Sequence, residues 1–215
     1  EREKLIPKRA ILPYFLQVKQ KNDELWQSWN VTPELEERFI RSVRMKPRRT
    51  ASGVATITVI TRPHTCSSNC IYCPCDLRMP KSYLANEPAC QRAELTFFDP
   101  YVQVAARLQA LHQMGHSTDK VELIVLGGTW SDYPESYQYW FIKELFRALN
   151  EWPNSPSHIQ ERLNWYTSFG LQNTEETLSS FVAEQQKAIF DDNTTYNQAF
   201  HKLYDTSQPH QSAWS

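Results

Sequence analysis

Three cysteines lie within eight residues of this 215-residue chain, as Cys66, Cys70 and Cys73 of the stretch CSSNCIYC. Thiolates this close together are suited to binding a metal ion or a metal cluster. The chain has five cysteines in all. This clustering is unlike the dispersed, even-numbered cysteines of a small secreted disulfide framework. The stretch therefore predicts metal or redox chemistry in a reducing compartment.

Two kinds of metal site remain open from these residues alone. Three thiolates satisfy three irons of a 4Fe-4S cluster and leave the fourth iron free to chelate a small molecule. The alternative is a tetrahedral zinc site completed by Cys75 or His64. Structural zinc usually takes two separated pairs of ligands, so the compact spacing favours the cluster. Tyr72, next to the last cysteine, suits either core packing or stacking on a purine.

The elements around this loop predict a parallel sheet. Residues 54–60, VATITVI, are nearly all β-branched or apolar and lie between Gly53 and Pro63, which predicts a buried strand directly before the cysteines. A helix opens at Asp99 and Pro100 and stops at Gly115. A second strand covers 121–126 and ends in paired glycines, and a further helix covers about 134–149, with Tyr137, Trp140, Phe141, Leu145 and Phe146 as its core stripe. In such a βα order, sites lie at the carboxyl ends of the strands, where both loops fall.

The chain before the first strand is basic. Residues 1–50 carry 12 Lys and Arg against 7 Asp and Glu, whereas residues 151–215 carry 3 against 8. A helix from Thr32 to about Met45, capped by Thr32, leads into a run of four basic residues around Pro47: Arg44, Lys46, Arg48 and Arg49. Such a run is either a solvated linker or a patch that contacts phosphates.

The residues after 150 follow a different pattern. Residues 173–190 predict one amphipathic helix, and the last 25 residues are polar with scattered aromatics. Two βα units cannot close a barrel by themselves, and the uncovered sheet edge favours association. No apolar run approaches the roughly 18 residues that span a bilayer, and the first residues lack the apolar stretch of a signal peptide, so we expect a cytoplasmic protein without membrane contact.

An ordered series of motifs gives a more specific resemblance. The C-x3-C-x-aromatic-C pattern resembles that of radical S-adenosylmethionine enzymes. Residues 45–149 are similar to the catalytic subunit of the Elongator complex and its stand-alone prokaryotic relatives. The similarity rests on RTASG at 49–53, RPHTC at 62–66, YCP at 72–74, SYLANEPACQRA at 82–93, GHSTDKVELIVLGGT at 115–129 and PESYQYWFI at 134–142.

The resemblance implies a fold, a reaction and a set of site residues. The fold would be an incomplete radical S-adenosylmethionine barrel of the partial TIM type, an α/β core at 51–150. A basic, mainly helical tRNA-binding segment at 1–50 would precede it, and a helical extension at 151–215 would follow. Such enzymes modify the wobble uridine of tRNA, using a 5′-deoxyadenosyl radical from S-adenosylmethionine and the acetyl group of acetyl-CoA.

The same resemblance implies roles for individual residues. Cys66, Cys70 and Cys73 would hold the 4Fe-4S cluster. Tyr72 would lie near the adenine of S-adenosylmethionine, and its methionine amino group would meet the loop of Gly127, Gly128 and Thr129. Lys120 falls where family members contact acetyl-CoA, although the residue alone indicates only an exposed lysine before a strand.

Two departures from the family pattern qualify these expectations. Cys75 stands where a glycine is expected after YCP, as a passive substitution or an extra ligand. The acetyltransferase-like domain and the remaining barrel strands have no counterpart in these residues, which predicts a fragment or an inactive paralogue. A zinc-stabilised RNA-binding module without catalysis and a radical enzyme with a small-molecule substrate remain the competing functions.

Overall fold

The computed structural model describes residues 6–68, 70–171, 183–184, 186–191 and 194–205. Eight α-helices and two strands lie wholly within this part of the chain. The helices are α1 (Lys8–Lys21), α2 (Asp23–Ser28), α3 (Pro33–Val43), α4 (Pro88–Leu95), α5 (Pro100–Gln113), α6 (Glu135–Asn150), α7 (Ile159–Ser168) and α8 (Tyr196–Tyr204). The strands are β1 (Ala55–Ile60) and β2 (Val121–Leu126). Among the described residues, no helix combines the length and apolar character needed to cross a lipid bilayer.

The two strands pair in parallel, as the sequence predicts. The N–H of Ala55 donates to the carbonyl of Lys120, and six residues further along both strands the N–H of Thr61 donates to the carbonyl of Leu126. β1 is mostly buried, whereas β2 leaves Ile124 and Val125 more than one third exposed. Within the described residues the sheet has two strands, so the barrel stays a prediction.

Local signals set the ends of the helices. Thr32 caps α3 by accepting a hydrogen bond from the N–H of Leu35, and Asp99 accepts one from Val102 at the start of α5. α5 ends before Gly115, whose φ of +82° favours glycine. The predicted bounds of these helices and of both strands are confirmed to within two residues.

The predicted core stripe of α6 is only partly correct. Tyr137, Phe141 and Leu145 are buried, but Trp140 is half-buried and Phe146 is 55% exposed. Tyr137, Phe141 and Leu145 lie four residues apart and share one face of the helix, and Phe146 lies outside that line. Helical spacing identified the apolar face but overestimated its width.

The described chain divides into two compact units. Unit 1 comprises residues 1–57 and 107–122, and unit 2 comprises 58–106 and 123–215. In unit 1, α1 to α3 pack through aromatic rings, with the centroid of Phe15 4.5 Å from that of Phe39 and 5.2 Å from that of Trp26. Unit 2 contains both motif loops. The domain boundaries predicted at residues 50 and 150 stay predictions.

The C-terminal region contains a helix that the sequence did not predict. α8 occupies part of the stretch interpreted as polar, and it buries Tyr196, Ala199, Phe200 and Tyr204 against Leu77. Residues 186–190 of the predicted helix at 173–190 are helical, and most of its remainder lies outside the described residues.

Candidate functional site

The three cysteines lie on the loop that follows β1, within unit 2. Cys66 is 9% exposed, Cys73 is half-buried and Cys70 is exposed, and all three thiols are free. The Sγ of Cys66 lies 3.4 Å from the Oγ1 of Thr129, and the Sγ of Cys73 lies 3.0 Å from the Oγ of Ser82. The loop after β1 thus meets the loop after β2 at the first cysteine.

The thiols suit an iron–sulfur cluster by their chemistry, although they are not assembled around one. Three free thiols on one loop are the donor set that a 4Fe-4S cluster with one open iron requires. Within the described part of the chain, no three Cys, His, Asp or Glu side chains are grouped to hold a metal ion. Cys66 alone of the three is fixed by contacts to the second loop.

The two side chains that would complete a zinc site both form hydrogen bonds to backbone carbonyls. The imidazole Nε2 of His64 lies 2.9 Å from the carbonyl oxygen of Asp132, so this nitrogen donates and the ring could bind a metal only through Nδ1. Burial, and next the charge of Arg62, lower the pKa of His64. The thiol of Cys75 donates to the carbonyl of Cys73, and burial raises its pKa, which favours the protonated thiol over the metal-binding thiolate.

The paired glycines after β2 have different reasons to be glycine. A Cβ on Gly127 would lie 1.8 Å from the Oγ1 of Thr61. A Cβ on Gly128 would find its nearest neighbour, the hydroxyl of Tyr133, at 3.7 Å. Gly127 is therefore required for packing against the end of β1, and Gly128 leaves space beside its backbone. The sequence alone had attributed both glycines to the approach of a ligand.

Two tyrosines hold the segment that leads into the cysteines. The hydroxyl of Tyr133 donates to the carbonyl of Arg62 at 2.8 Å and pairs with the hydroxyl of Thr61, also at 2.8 Å. The hydroxyl of Tyr137 accepts from the N–H of Arg62 at 3.1 Å. Burial raises the pKa of Tyr133 to about 12, so the hydroxyl keeps its proton near neutral pH. Buried and part-buried hydrogen bonds therefore fix the path of the chain into the loop.

Three polar side chains hold the backbone of the cysteine loop itself, and sequence reasoning missed all of them. Lys81 is 3% exposed and its Nζ donates to the carbonyl of Ser68 at 2.7 Å. The Oδ2 of Asp132 accepts from the N–H of Ser67 at 2.7 Å, and this bond is the main reason that the pKa of Asp132 is lowered. Asn197 binds both backbone polar groups of Cys66. No local pattern marks these residues, because their partners lie 13 to 131 positions away.

Two predicted cofactor contacts lie at the surface. Tyr72 is 92% exposed, which leaves its ring available for stacking. Lys120 belongs to unit 1, where its side chain is exposed and its carbonyl accepts the hydrogen bond that starts the sheet.

The basic run also lies in unit 1. Lys46, Arg48 and Arg49 are exposed, whereas Arg44 is half-buried. A 3-10 turn covers Pro47–Thr50, and Lys46 before it has a φ of +51°. Such a turn directs several basic side chains to solvent within a few residues. Of the four predicted phosphate contacts, Arg44 is the least accessible.

One buried histidine anchors the end of this run. The Nδ1 of His116 lies 2.8 Å from the hydroxyl of Thr50, and His116 is 3% exposed. Burial lowers the pKa of His116, and the charges of Arg44, Arg49 and Arg107 lower it further. The lowered pKa favours the neutral form of His116 in the folded chain.

Comparison with known proteins identifies relatives of this chain. The chain is 41% identical over 139 residues to the tRNA uridine(34) acetyltransferase of Methanocaldococcus infernus, which covers 62% of this chain and 26% of that protein. It is 48% identical over 105 residues to the protein of the same name from Dehalococcoides mccartyi, covering 49% and 23%. Over the matched residues, this chain is homologous to proteins of the Elongator complex protein 3 family. It is also 41% identical over 127 residues to Elongator complex protein 3 of Schizosaccharomyces pombe, covering 54% and 23%.

The Elongator resemblance inferred from the sequence motifs is thus confirmed, and it has a defined extent. The chain spans about a quarter of the length of the curated Elongator-family relatives it matches. No protein-family model matches the chain.

Proposed function

We propose that this chain carries the cluster-binding part of an enzyme that modifies the wobble uridine of tRNA. The observation that carries the proposal is the 3.4 Å contact between the Sγ of Cys66 and the Oγ1 of Thr129. It joins the two strand-end loops at which a parallel sheet places its ligands. Relatives with up to 48% identity are named for acetyl transfer to tRNA uridine 34, which supports the choice of substrate.

In this proposal Cys66, Cys70 and Cys73 hold the 4Fe-4S cluster through their thiolates. When bound, the cluster supplies the electron that cleaves S-adenosylmethionine and leaves one iron open to that substrate. The chain's own contribution is orientation. Hydrogen bonds with Asn197 and Asp132 fix the Cys66 end of the loop, whereas Cys70 is exposed to solvent.

The loop after β2 is suited to S-adenosylmethionine. The open backbone at Gly128 and the hydroxyl of Thr129 offer polar groups beside Cys66. Tyr72 supplies an exposed ring for the adenine, since aromatic side chains stack on bases. Together these residues bind and orient the cofactor, and the buried tyrosines below them exclude water.

The exposed basic residues of unit 1 bind tRNA in this proposal. Lys46, Arg48 and Arg49 present positive charge to solvent and form no ion pair with a carboxylate of the described residues, and Arg44 adds to this charge from a half-buried position. Phosphate contacts of this kind supply affinity without reading sequence. Lys120, also exposed in unit 1, is the proposed contact for acetyl-CoA.

A zinc-stabilised RNA-binding module is the second candidate, because three free thiols are also a donor set for zinc. Measuring iron, acid-labile sulfide and zinc in the anaerobically purified chain separates the two. A radical enzyme with a small-molecule substrate is the third candidate. Tight, salt-sensitive binding of tRNA would argue against it.

The test of the proposed cofactor is anaerobic binding of radiolabelled S-adenosylmethionine to the iron-loaded chain. We expect binding that is lost in Cys66→Ala and retained in Cys90→Ala, because Cys90 is buried on α4 in a core cluster that contains none of the three loop cysteines. We expect no 5′-deoxyadenosine above free-cluster controls on adding dithionite, since two strand ends leave a radical exposed to water. Equal binding by the Cys66→Ala chain would contradict the proposal.

The exposed edge of β2 supports one further part of the proposal, association through the sheet. Ile124 and Val125 present apolar surface at 36% and 38% exposure. The expected result is that Ile124→Lys lowers the sedimentation-equilibrium mass of the concentrated chain. An unchanged mass would remove this edge from the proposal.

A further inference from the structure

Asn197, the second residue of α8, makes a paired contact with the first cysteine of the loop. Its Oδ1 accepts a hydrogen bond from the N–H of Cys66 at 3.1 Å, and its Nδ2 donates to the carbonyl of Cys66 at 2.9 Å. Both polar backbone groups of Cys66 are therefore satisfied by one side chain. An amide can do this because it carries a donor and an acceptor side by side.

The helix that carries Asn197 is itself fixed against the same loop. The hydroxyl of Tyr196 donates to the carbonyl of Met79 at 3.2 Å, and that of Tyr204 donates to the carbonyl of Leu77 at 2.8 Å. The ring of Phe200 lies edge-on to His64 at 6.1 Å between centroids. These three aromatic residues lie four positions apart on one face of α8, so the whole face contacts the chain on either side of the cysteines.

The start of α8 is fixed as well. Thr195 and Gln198 form a capping box, in which the threonine hydroxyl accepts from the N–H of Gln198 and the Gln198 side chain accepts from the N–H of Thr195. Asn197 lies within this first turn, which limits the directions its amide can take. Because the capping box fixes the first turn of α8, the amide of Asn197 holds the backbone of Cys66 in one position.

We propose that Asn197 is a positioning residue that directs the Cys66 thiol toward Thr129 and thereby presets one ligand of the cluster. The proposal rests on the proposed function for the identity of the cluster, but the geometry of Cys66 is a property of the chain alone. α8 is then part of the metal site, although it lies more than 40 residues beyond the βα units that carry the motifs.

The first measurement uses the metal-free chain. Alkylation with iodoacetamide at pH 7.5, followed by mass spectrometry of each cysteine peptide, measures how well each thiol is protected. Cys66 is buried and Cys70 is exposed, so Cys70 should react first in the parent chain. In Asn197→Ala we expect the alkylation of Cys66 to accelerate by about tenfold, the size of effect that two ordinary hydrogen bonds give, while Cys70 is unchanged.

Two further variants separate positioning from folding. Gln198→Ala breaks the capping box and weakens α8 but leaves the amide of Asn197 in place, so it should lower the urea midpoint yet leave Cys66 protected when folded. Asn197→Asp keeps the size and the acceptor for the Cys66 N–H but has no donor for its carbonyl. It should expose Cys66 to alkylation, and it tests the proposal even where Asn197→Ala fails to fold.

The second measurement follows iron in the reconstituted chain. We expect a chelator to remove iron about tenfold faster from both Asn197 variants than from Gln198→Ala. Unchanged alkylation of Cys66 in Asn197→Ala and Asn197→Asp would overturn the positioning role. If the parent chain takes up no iron, the proposed function fails, while faster alkylation of Cys66 in the Asn197 variants still supports the positioning role.

Discussion

The cysteine loop in unit 2 and the basic run in unit 1 differ in how the surrounding residues support them. Three buried or half-buried side chains, Lys81, Asp132 and Asn197, bind the backbone of the cysteine loop. The basic run directs three of its four charges to solvent, and the Thr50–His116 contact holds its end. The loop should therefore depend on geometry, and the run should depend on the number of charges.

This difference predicts which substitutions matter. A single atom added beneath the cysteine loop should have a large effect, because buried neighbours leave it no room. Removing one charge from the basic run should have a small and additive effect, because exposed phosphate contacts act independently.

The largest effect is expected from Gly127→Ala. Its Cβ would lie 1.8 Å from the Oγ1 of Thr61, whose hydroxyl pairs with Tyr133, so the end of β1 must shift. We expect a loss of about 1 to 3 kcal/mol in the free energy of unfolding, measured by urea denaturation. Gly128→Ala is the matched control and should cost less than about 0.5 kcal/mol. Equal losses in the two variants would show that this packing does not limit the loop.

Lys81→Met is expected to act on the loaded loop more than on the empty one. The ammonium of Lys81 is buried, and no ion pair with a described carboxylate is present, so it suits a loop that becomes negatively charged with its thiolates. The apo chain should keep its stability, while the reduction potential of the reconstituted cluster should become more negative. An unchanged reduction potential would show that Lys81 only donates a hydrogen bond to the carbonyl of Ser68 and does not affect the cluster.

Replacing Arg48 and Arg49 by Gln should weaken tRNA binding and reduce its salt dependence. The slope of log K against log salt should fall by about 0.7 to 0.9 for each phosphate that the variant no longer neutralises. Lys8→Gln with Arg9→Gln removes the same charge from α1 and serves as the control. If both pairs reduce the slope equally, net charge and not this run determines binding.

A smaller effect is expected from pH. The pKa of His116 is lowered from 6.5 by burial first and then by Arg44, Arg49 and Arg107. The unfolded chain therefore binds this proton more readily, so the free energy of unfolding is highest above about pH 6.5 and falls as the pH drops below it. His116→Gln should reduce this dependence in urea titrations between pH 7.5 and 5.

Much of the scaffold could be predicted from local sequence signals. The cap at Thr32, the start at Asp99 and the stop at Gly115 act within a few residues, and each is confirmed. The width of the apolar face of α6 was overestimated, because periodicity does not state which neighbour each ring meets. Periodicity therefore wrongly placed Phe146 in the core stripe, whereas its side chain is exposed.

The support of the cysteine loop could not be predicted in this way. Asn197 and Cys66 are 131 residues apart, and Thr61 and Tyr133 are 72 apart, so neither contact leaves a local pattern. Gly127 was identified as a ligand contact, which stays a prediction, but its close packing against the side chain of Thr61 was not predicted. The residues that perform the proposed chemistry were visible in the sequence, whereas those that position them required the fold.

The most direct test of the central claim is the iron and acid-labile sulfide content of the anaerobically reconstituted chain and its single-cysteine variants. Cys66→Ala, Cys70→Ala and Cys73→Ala should each lose iron and the visible absorption of the cluster. Cys75→Ala and Cys90→Ala should retain both, because Cys75 is a hydrogen-bonded thiol and burial raises the pKa of Cys90 to about 11. An equal loss of iron in Cys75→Ala, or zinc in place of iron and sulfide, would contradict a three-thiolate cluster site.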